Sequence, residues 1–253
     1  MFRYRMLYFR RMEKRIAVIS DIHGNLPALI AVLEDIQHFP ADIIYCLGDL
    51  TDAAPWHNEV ISTIRSLAIP TIMGNHDERI AFDHPVHPLS KHGPEEQAAR
   101  LAAINYTKAT ITADNKMFLS HLPHHIRFEA GGKHFLLVHG SADSNDEYLY
   151  DTHNAATLQQ MLSQQQADIM VCGHTHISYL RTLPDGKQVI NTGSVGRTKE
   201  QDGKATYLQI VIHEDTGIQY TLRKVTYNIK ETADGIRSSE IPDFYADLLE
   251  KII

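Results

Sequence analysis

This chain is poor in the residues that build cross-linked proteins. It holds two cysteines among 253 residues, Cys46 and Cys172, too few for a disulfide framework. Both sit inside apolar runs, "IIYCLGD" and "DIMVCGH", and read as small buried hydrophobes. That usage fits a reducing cytoplasm. Positive charge is also short: 24 Lys and Arg against 31 Asp and Glu give a net charge of −7. No broad basic face is therefore offered to long nucleic acid or anionic membrane, where binding depends on neutralising phosphate. No apolar run approaches the roughly 18 residues of a membrane span, so no membrane association is expected. Arginines interrupt "MFRYRMLYFRRM" before a signal-peptide core can form, and residues 1–12 read as a loose extension. Two catalytic signatures are missing as well. There is no Walker loop, and "TGSVG" puts Thr192 where a serine-hydrolase elbow needs glycine.

What the chain does have is alternation. "RIAVIS" (15–20), "DIIYCLG" (42–48) and "PTIMG" (70–74) are apolar strand-like runs. Between them, "LPALIAVLEDIQ" (26–37) and "WHNEVISTIRSLA" (56–68) carry helical spacing. This βαβαβ order predicts parallel pairing. Residues 83–125 break the pattern with an exposed loop and two helical stretches, "EEQAARLAAINYT" and "TADNKMFLSHL", and read as a helical insertion. Strands resume at 126–130, 134–139, 168–172, 178–183 and 187–191, with a helix at 154–165. "TYLQIVIH" (206–213) and "GIQYTLRKV" (217–225) form an expected antiparallel hairpin. "EIPDFYADLLEKII" is amphipathic and is expected to dock on the body. With no repeat and no linker, residues 13–253 read as one domain.

The chemistry-bearing residues follow the strands. Ligands of parallel sheets bind beyond the carboxyl ends of the strands. There stand Asp21, His23 and Asn25 in "SDIHGN", Asp49 and Asp52 in "GDLTD", and Asn75, His76, Asp77 and Arg79 in "GNHDER". His139 follows in "HGS", and His174 and His176 in "CGHTH". Each motif alone is weak, since "GNHD" also suits a simple turn. Five in succession point to a metal site of carboxylate, amide and imidazole donors. Seven candidates, Asp21, His23, Asp49, Asn75, His139, His174 and His176, exceed the roughly four to six that one such ion takes. Two divalent ions sharing Asp49 use all seven. Ions about 3.5–4 Å apart form the clamp of phosphoester hydrolysis. Their surplus positive charge attracts phosphate even on an acidic chain.

The ordered set "SDIHGN … GDL … GNHD … VHG … GHTH" resembles the calcineurin-like metallophosphoesterase superfamily. Its small bacterial and archaeal phosphodiesterase branch is the most similar, and often closes its core with a segment like "NTGSVG" (191–196). The resemblance covers roughly residues 15–200. It implies an α/β fold, a four-layer αββα sandwich of two mixed β-sheets flanked by helices. It also implies two divalent ions (manganese, iron, zinc, nickel or cobalt). Asp21, His23 and His176 would hold one ion, and Asn75, His139 and His174 the other, with Asp49 bridging. The "GHTH" histidines would thus serve different ions, with Thr175 as spacer.

The implied chemistry is in-line attack on phosphorus by a metal-bridging hydroxide, with His76 protonating the leaving oxygen and Asp52 orienting His76. Ala53 stands where the phosphoprotein phosphatase branch has a phosphate-holding arginine, which argues against that branch. Arg79 and Arg197 are the candidate substitutes, against a plain reading as solvent-exposed arginines. Asn25 and Asn75 complete the expected substrate contacts. A small phosphodiester or phosphomonoester is the expected substrate; a dinucleoside polyphosphate hydrolase or nuclease is the alternative within enzymes. The rival from another class is a partner-binding scaffold like the retromer subunit, which lacks the catalytic histidine. Of the other histidines, His84, His87, His92, His121, His124 and His125 read as a solvated loop, with some lining the substrate entrance as the alternative.

Overall fold

A computed structural model describes residues 13–89, 93–213 and 217–251; the expected extension at 1–12 and His92 lie outside them. Strand β1 (Glu13–Ile19) is followed by helix α1 (Leu26–His38), β2 (Ile43–Cys46) and α2 (His57–Ser66). Then come α3 (Asn75–Ala81), α4 (Pro94–Thr110) and α5 (Ala113–Ser120), the last two inside the 83–125 segment. Strands β3 (His125–Ala130) and β4 (Lys133–Val138) precede α6 (Ala155–Gln164), β5 (Ile169–Cys172), β6 (Tyr179–Thr182) and β7 (Gln188–Asn191). Strands β8 (Ala205–His213) and β9 (Gly217–Val225), then helices α7 (Ile229–Arg237) and α8 (Phe244–Glu250), complete the chain.

Two mixed sheets result, ordered β2-β1-β8-β9 and β3-β4-β5-β7-β6. Side-chain alternation along the central strands splits each between two cores. In β1, β4 and β5, Ile16, Val18, Phe135, Leu137, Ile169 and Val171 meet Leu208 and Ile210 between the sheets. The alternate residues face helices. Ala17 and Ile19 pack with Val32 of α1 and Val60 of α2. Leu136, Val138, Met170 and Cys172 pack with Leu158 and Leu162 of α6. Both faces of these strands are thus buried, which is why they read as continuous apolar runs. Each Val, Leu or Ile withdrawn this way contributes about 1.5–3 kcal/mol. The outcome is the expected four layers, helix, sheet, sheet, helix.

The parallel pairing expected of the first strands holds between β1 and β2 and at the Cys46–Thr71 bridge, while β8 pairs antiparallel on the other flank of β1, which makes the sheet mixed. One expectation is corrected. The strand expected at 70–74 is a single bridge, Thr71 beside Cys46. Ile72 N–H still donates to Cys46 O, but Met73 N–H turns to Pro123 O at 2.8 Å. Gly74 N–H turns to Asp77 Oδ2 at 3.2 Å, so the ladder runs out of donors.

Helix α8 packs on both α4 and α7, in a cluster of Ala99, Ala103, Ala233, Ile236, Tyr245 and Leu249 that also holds Ala53 and Ala54. This contact carries the C-terminal helices to the loop after β2. Both cysteines are buried and unpaired. Among the described residues, no helix is long and apolar enough to cross a membrane.

Candidate metal centre

The ends of β1, β2, β4 and β5 converge on one buried cluster. The turns that leave them adopt left-handed backbone: φ is 54° at Asp21, 51° at His23, 54° at Asp49, 64° at His174 and 62° at His176. Asp and His tolerate that region better than most residues, yet it remains costly and concentrates at functional sites. The surrounding structure enforces it. Ile22 and His23 N–H both donate to Asp49 O at 2.9 Å, and Gly196 N–H donates to Asp21 O at 3.0 Å. Asp77, buried under the cluster, accepts from Asp49 N–H at 2.7 Å and Leu50 N–H at 2.9 Å. Burial, then the neighbouring Asp49 charge, pushes Asp77 up to about 7. Glycine is obligatory at two flanking positions. A Cβ on Gly74 would lie 2.2 Å from Asp49 Oδ1, and one on Gly173 2.2 Å from Ser20 Oγ.

Backbone carbonyls orient the imidazoles. His23 Nδ1 lies 3.0 Å from Thr51 O, His139 Nδ1 2.8 Å from Leu47 O and His176 Nδ1 2.6 Å from Arg197 O. Each Nδ1 therefore carries a proton; Nε2 of His23 and of His176 presents a lone pair inward, while Nε2 of His139 faces the Asp49 carboxylate. His23 Nε2 and His176 Nε2 then face each other at 3.1 Å. Asp21 Oδ1 sits 3.2 Å from His176 Nε2, and Asp49 Oδ2 sits 3.3 Å from His139 Nε2 and 3.7 Å from His23 Nε2. Asn75 Oδ1 lies 3.2 Å from His139 Nε2. Asp21 Oδ1 and His174 Nε2 are buried without hydrogen-bond partners.

Opposed lone pairs and orphaned acceptors are repulsive or unsatisfied as they stand. A cation among them satisfies every one, and the donors suit a divalent transition ion. The residues present therefore fit metal. The donors fall into Asp21, His23 and His176 on one side and Asp49, His139 and His174 on the other. His174 and His176 lie in different groups. A third overlapping group, His23, Asp49 and His76, brings His76 within reach of the same space.

Charge is already partitioned before any ion arrives. Burial alone would raise Asp21 and Asp49, but adjacent imidazoles outweigh it, His176 foremost for Asp21 and His139 for Asp49, and hold both well below the usual carboxylate range. Burial would lower His139, but Asp49 raises it to about 10. Burial pushes His174 down to about 3 and also lowers His23 and His176.

Beside this cluster, His76 Nδ1 lies 2.6 Å from Asp52 Oδ2, which leaves Nε2 for the cavity. Asp52 itself has φ 70°. Asn25 Oδ1 accepts from Ala28 N–H at 3.1 Å as the cap of α1, and its Nδ2 donates to Gly196 O at 2.8 Å. Asn25 also lines a recess under α8 with His23 and Arg197. The solvent-exposed reading of Arg79 fails: only 9% of it is exposed. It lines a polar cavity of 180 Å³ with Asp49, Asn75, His76, His174 and Arg197. Arg197 stacks over Tyr245 with 4.9 Å from guanidinium carbon to ring centroid. Together with His23, these two also line a more apolar recess of 290 Å³ under α8.

Sequence reading missed several wall residues. Tyr148, whose ring lies 4.0 Å from that of His174, had no motif to mark it. Arg100 sits in a helix that reads as surface. His84 and His87 do line a cavity beside the site, whereas His121, His124 and His125 are exposed elsewhere.

Residues 15–215 match the calcineurin-like phosphoesterase superfamily domain. An uncharacterized protein of Methanocaldococcus jannaschii is 29% identical, covering 94% of this chain and 98% of that one. The crystal structure of a metallophosphoesterase from Sphaerobacter thermophilus aligns with a TM-score of 0.74 at 26% identity, over 95% of this chain and 99% of that one. A 63-residue stretch, 24% of this chain, is 35% identical to the symmetrical bis(5'-nucleosyl)-tetraphosphatase of Cronobacter sakazakii and spans 22% of that protein.

Proposed function

This chain belongs to the calcineurin-like phosphoesterase superfamily, and we propose that it hydrolyses a small phosphodiester or phosphomonoester at a two-metal site. The observation that carries this reading is the His23–His176 contact. Two inward lone pairs 3.1 Å apart, each fixed by a backbone carbonyl on the far side of its ring, are built to share a cation. Asp21, His23 and His176 would hold one ion, Asn75, His139 and His174 the second, with Asp49 between them. When bound, such ions supply charge that activates water and neutralises phosphate oxygens.

The chain's own groups do the rest. His76 donates a proton from Nε2 to the departing oxygen. Asp52 acts through His76 as a positioning residue, holding the proton on Nδ1 and the ring at the cavity. Asn75, Arg79 and Arg197 offer donors toward phosphate oxygens. The short tetraphosphatase-like stretch favours a second reading, a dinucleoside polyphosphate substrate, which belongs in the same assay. Two buried, unpaired cysteines accord with a reducing, cytoplasmic setting.

The test is turnover of bis(p-nitrophenyl) phosphate and p-nitrophenyl phosphate with manganese. Nitrophenol release should stop on chelation and return with metal. A metal-loaded protein inert across a broad phosphoester panel would instead indicate a scaffold.

A further inference from the structure

Two buried guanidiniums stand beside the candidate metal centre, and among the described residues neither is in an ion pair, although Asp146 lines the same cavities. Arg79 lies one turn along α3 from His76, and Arg100 lies on α4; each is 9% exposed. Both line the polar cavity that reaches Asp49 and His76, and both line the adjoining 290 Å³ cavity walled by His84, His87 and Leu89. Arg79 Nη1 is buried without a hydrogen-bond partner. Arg100 Nη1 donates to His87 O at 2.9 Å. Among the described residues neither forms an ion pair.

The acids nearby are committed elsewhere or stand off. Glu78 accepts from Asn145 Nδ2 at 3.0 Å, and Glu96 faces Arg197 at 3.9 Å. Asp146 and Asp52 attract Arg100 without pairing with it; burial first, and then repulsion from Arg79, lower the Arg100 pKa. A buried cation normally keeps a partner, because an uncompensated one is strongly destabilising. Two such cations converging on one cavity leave room for an anion, and guanidinium forks match phosphate geometry.

We infer that Arg79 and Arg100 form a second anion subsite, beyond the metal pair, that selects substrates carrying a phosphate group adjacent to the scissile one. The substrate class is then a diphosphate or longer polyphosphate ester. This names the substrate of the phosphoesterase proposed above and rests on it for the first phosphate alone.

Calorimetry on the manganese-loaded protein tests it without requiring turnover. Inorganic pyrophosphate should bind about tenfold or more tightly than inorganic phosphate, the margin of one extra hydrogen-bonded charge pair. Arg100→Gln should collapse that ratio to about threefold or less, and Arg100→Lys should retain part of it. Because metal contacts are common to the variants, a ratio unchanged in Arg100→Gln would overturn the subsite. So would a ratio near one in the unsubstituted chain, which needs no variant to fold. A protein inert toward nitrophenyl esters and diphosphate esters alike that still binds pyrophosphate through Arg100 would uphold the subsite and remove the hydrolase reading.

Discussion

The cradle at the strand ends and the wall that faces it are built in opposite ways. In the cradle, backbone decides everything. Asp21, His23, Asp49, His174 and His176 sit in left-handed turns, and carbonyls of Thr51, Leu47 and Arg197 fix the imidazole tautomers. The wall is a collection of long side chains, Arg79, Arg100, Tyr148, Arg197 and Tyr245, gathered from helices and loops far apart in the chain. Rigid, strained backbone suits donors that must hold fixed positions. Long side chains suit the recognition of a variable organic group. Chemistry and selectivity should therefore fail separately.

The largest effect is expected in the cradle. Asp49→Asn removes the carboxylate proposed to bridge the two ions, so bound metal should fall and activity should drop to the level of buffer. Full metal content in that variant would break the division between cradle and wall. His76→Ala comes next, with kcat reduced by about 10²–10⁴-fold, as for loss of a general acid, and metal content unchanged. Undiminished kcat would remove His76 from the mechanism.

A smaller effect separates two histidines of one donor group by pH. His139, raised to about 10 beside Asp49 in the metal-free protein, must release a proton to become a ligand. His174, lowered to about 3 by burial, has none to release. Manganese affinity should rise between pH 6 and 8, by up to about tenfold per unit for one proton displaced. A flat profile would contradict that partition.

The smallest effect lies outside both regions. Asp35 is held below the usual carboxylate range first by its hydrogen bond from Arg223. Because the folded pKa is depressed, this contribution is present above the unfolded value of about 3.9 and is lost as pH falls through the folded one. Arg223 is half exposed, so Asp35→Asn should cost only about 0.5–1 kcal/mol at pH 7. That corresponds to about 1–4 °C in Tm, with kcat unaltered. A matching loss of kcat would tie the surface to the site.

The cradle was legible in the sequence because its donors abut the strands that position them. A strand buried on both faces announces itself as an apolar run, and "SDIHGN", "GDL", "VHG" and "GHTH" follow such runs directly. The segment at 70–74 looked alike, but Met73 and Gly74 spend their N–H groups on Pro123 and Asp77 instead of a ladder. The wall was mostly illegible, because Arg100 and Tyr148 reach the cavity only through the packing of α4 and the loop before α6. Asn25 has a role its address hid: it follows a strand, as the donors do, and it caps α1. Helix α7 had no signature in the sequence since "IKETADGIR" is polar with Gly235 inside it, and its stability comes from packing on α8 and α1.

Metal stoichiometry decides whether the two histidines of "GHTH" serve different ions. Manganese-loaded protein, His174→Ala and His176→Ala should be compared by elemental analysis and by the spin coupling of the bound ions. Two coupled ions are expected in the unsubstituted chain and one uncoupled ion in each variant. A single ion in the unsubstituted chain, lost by both variants together, would contradict that division.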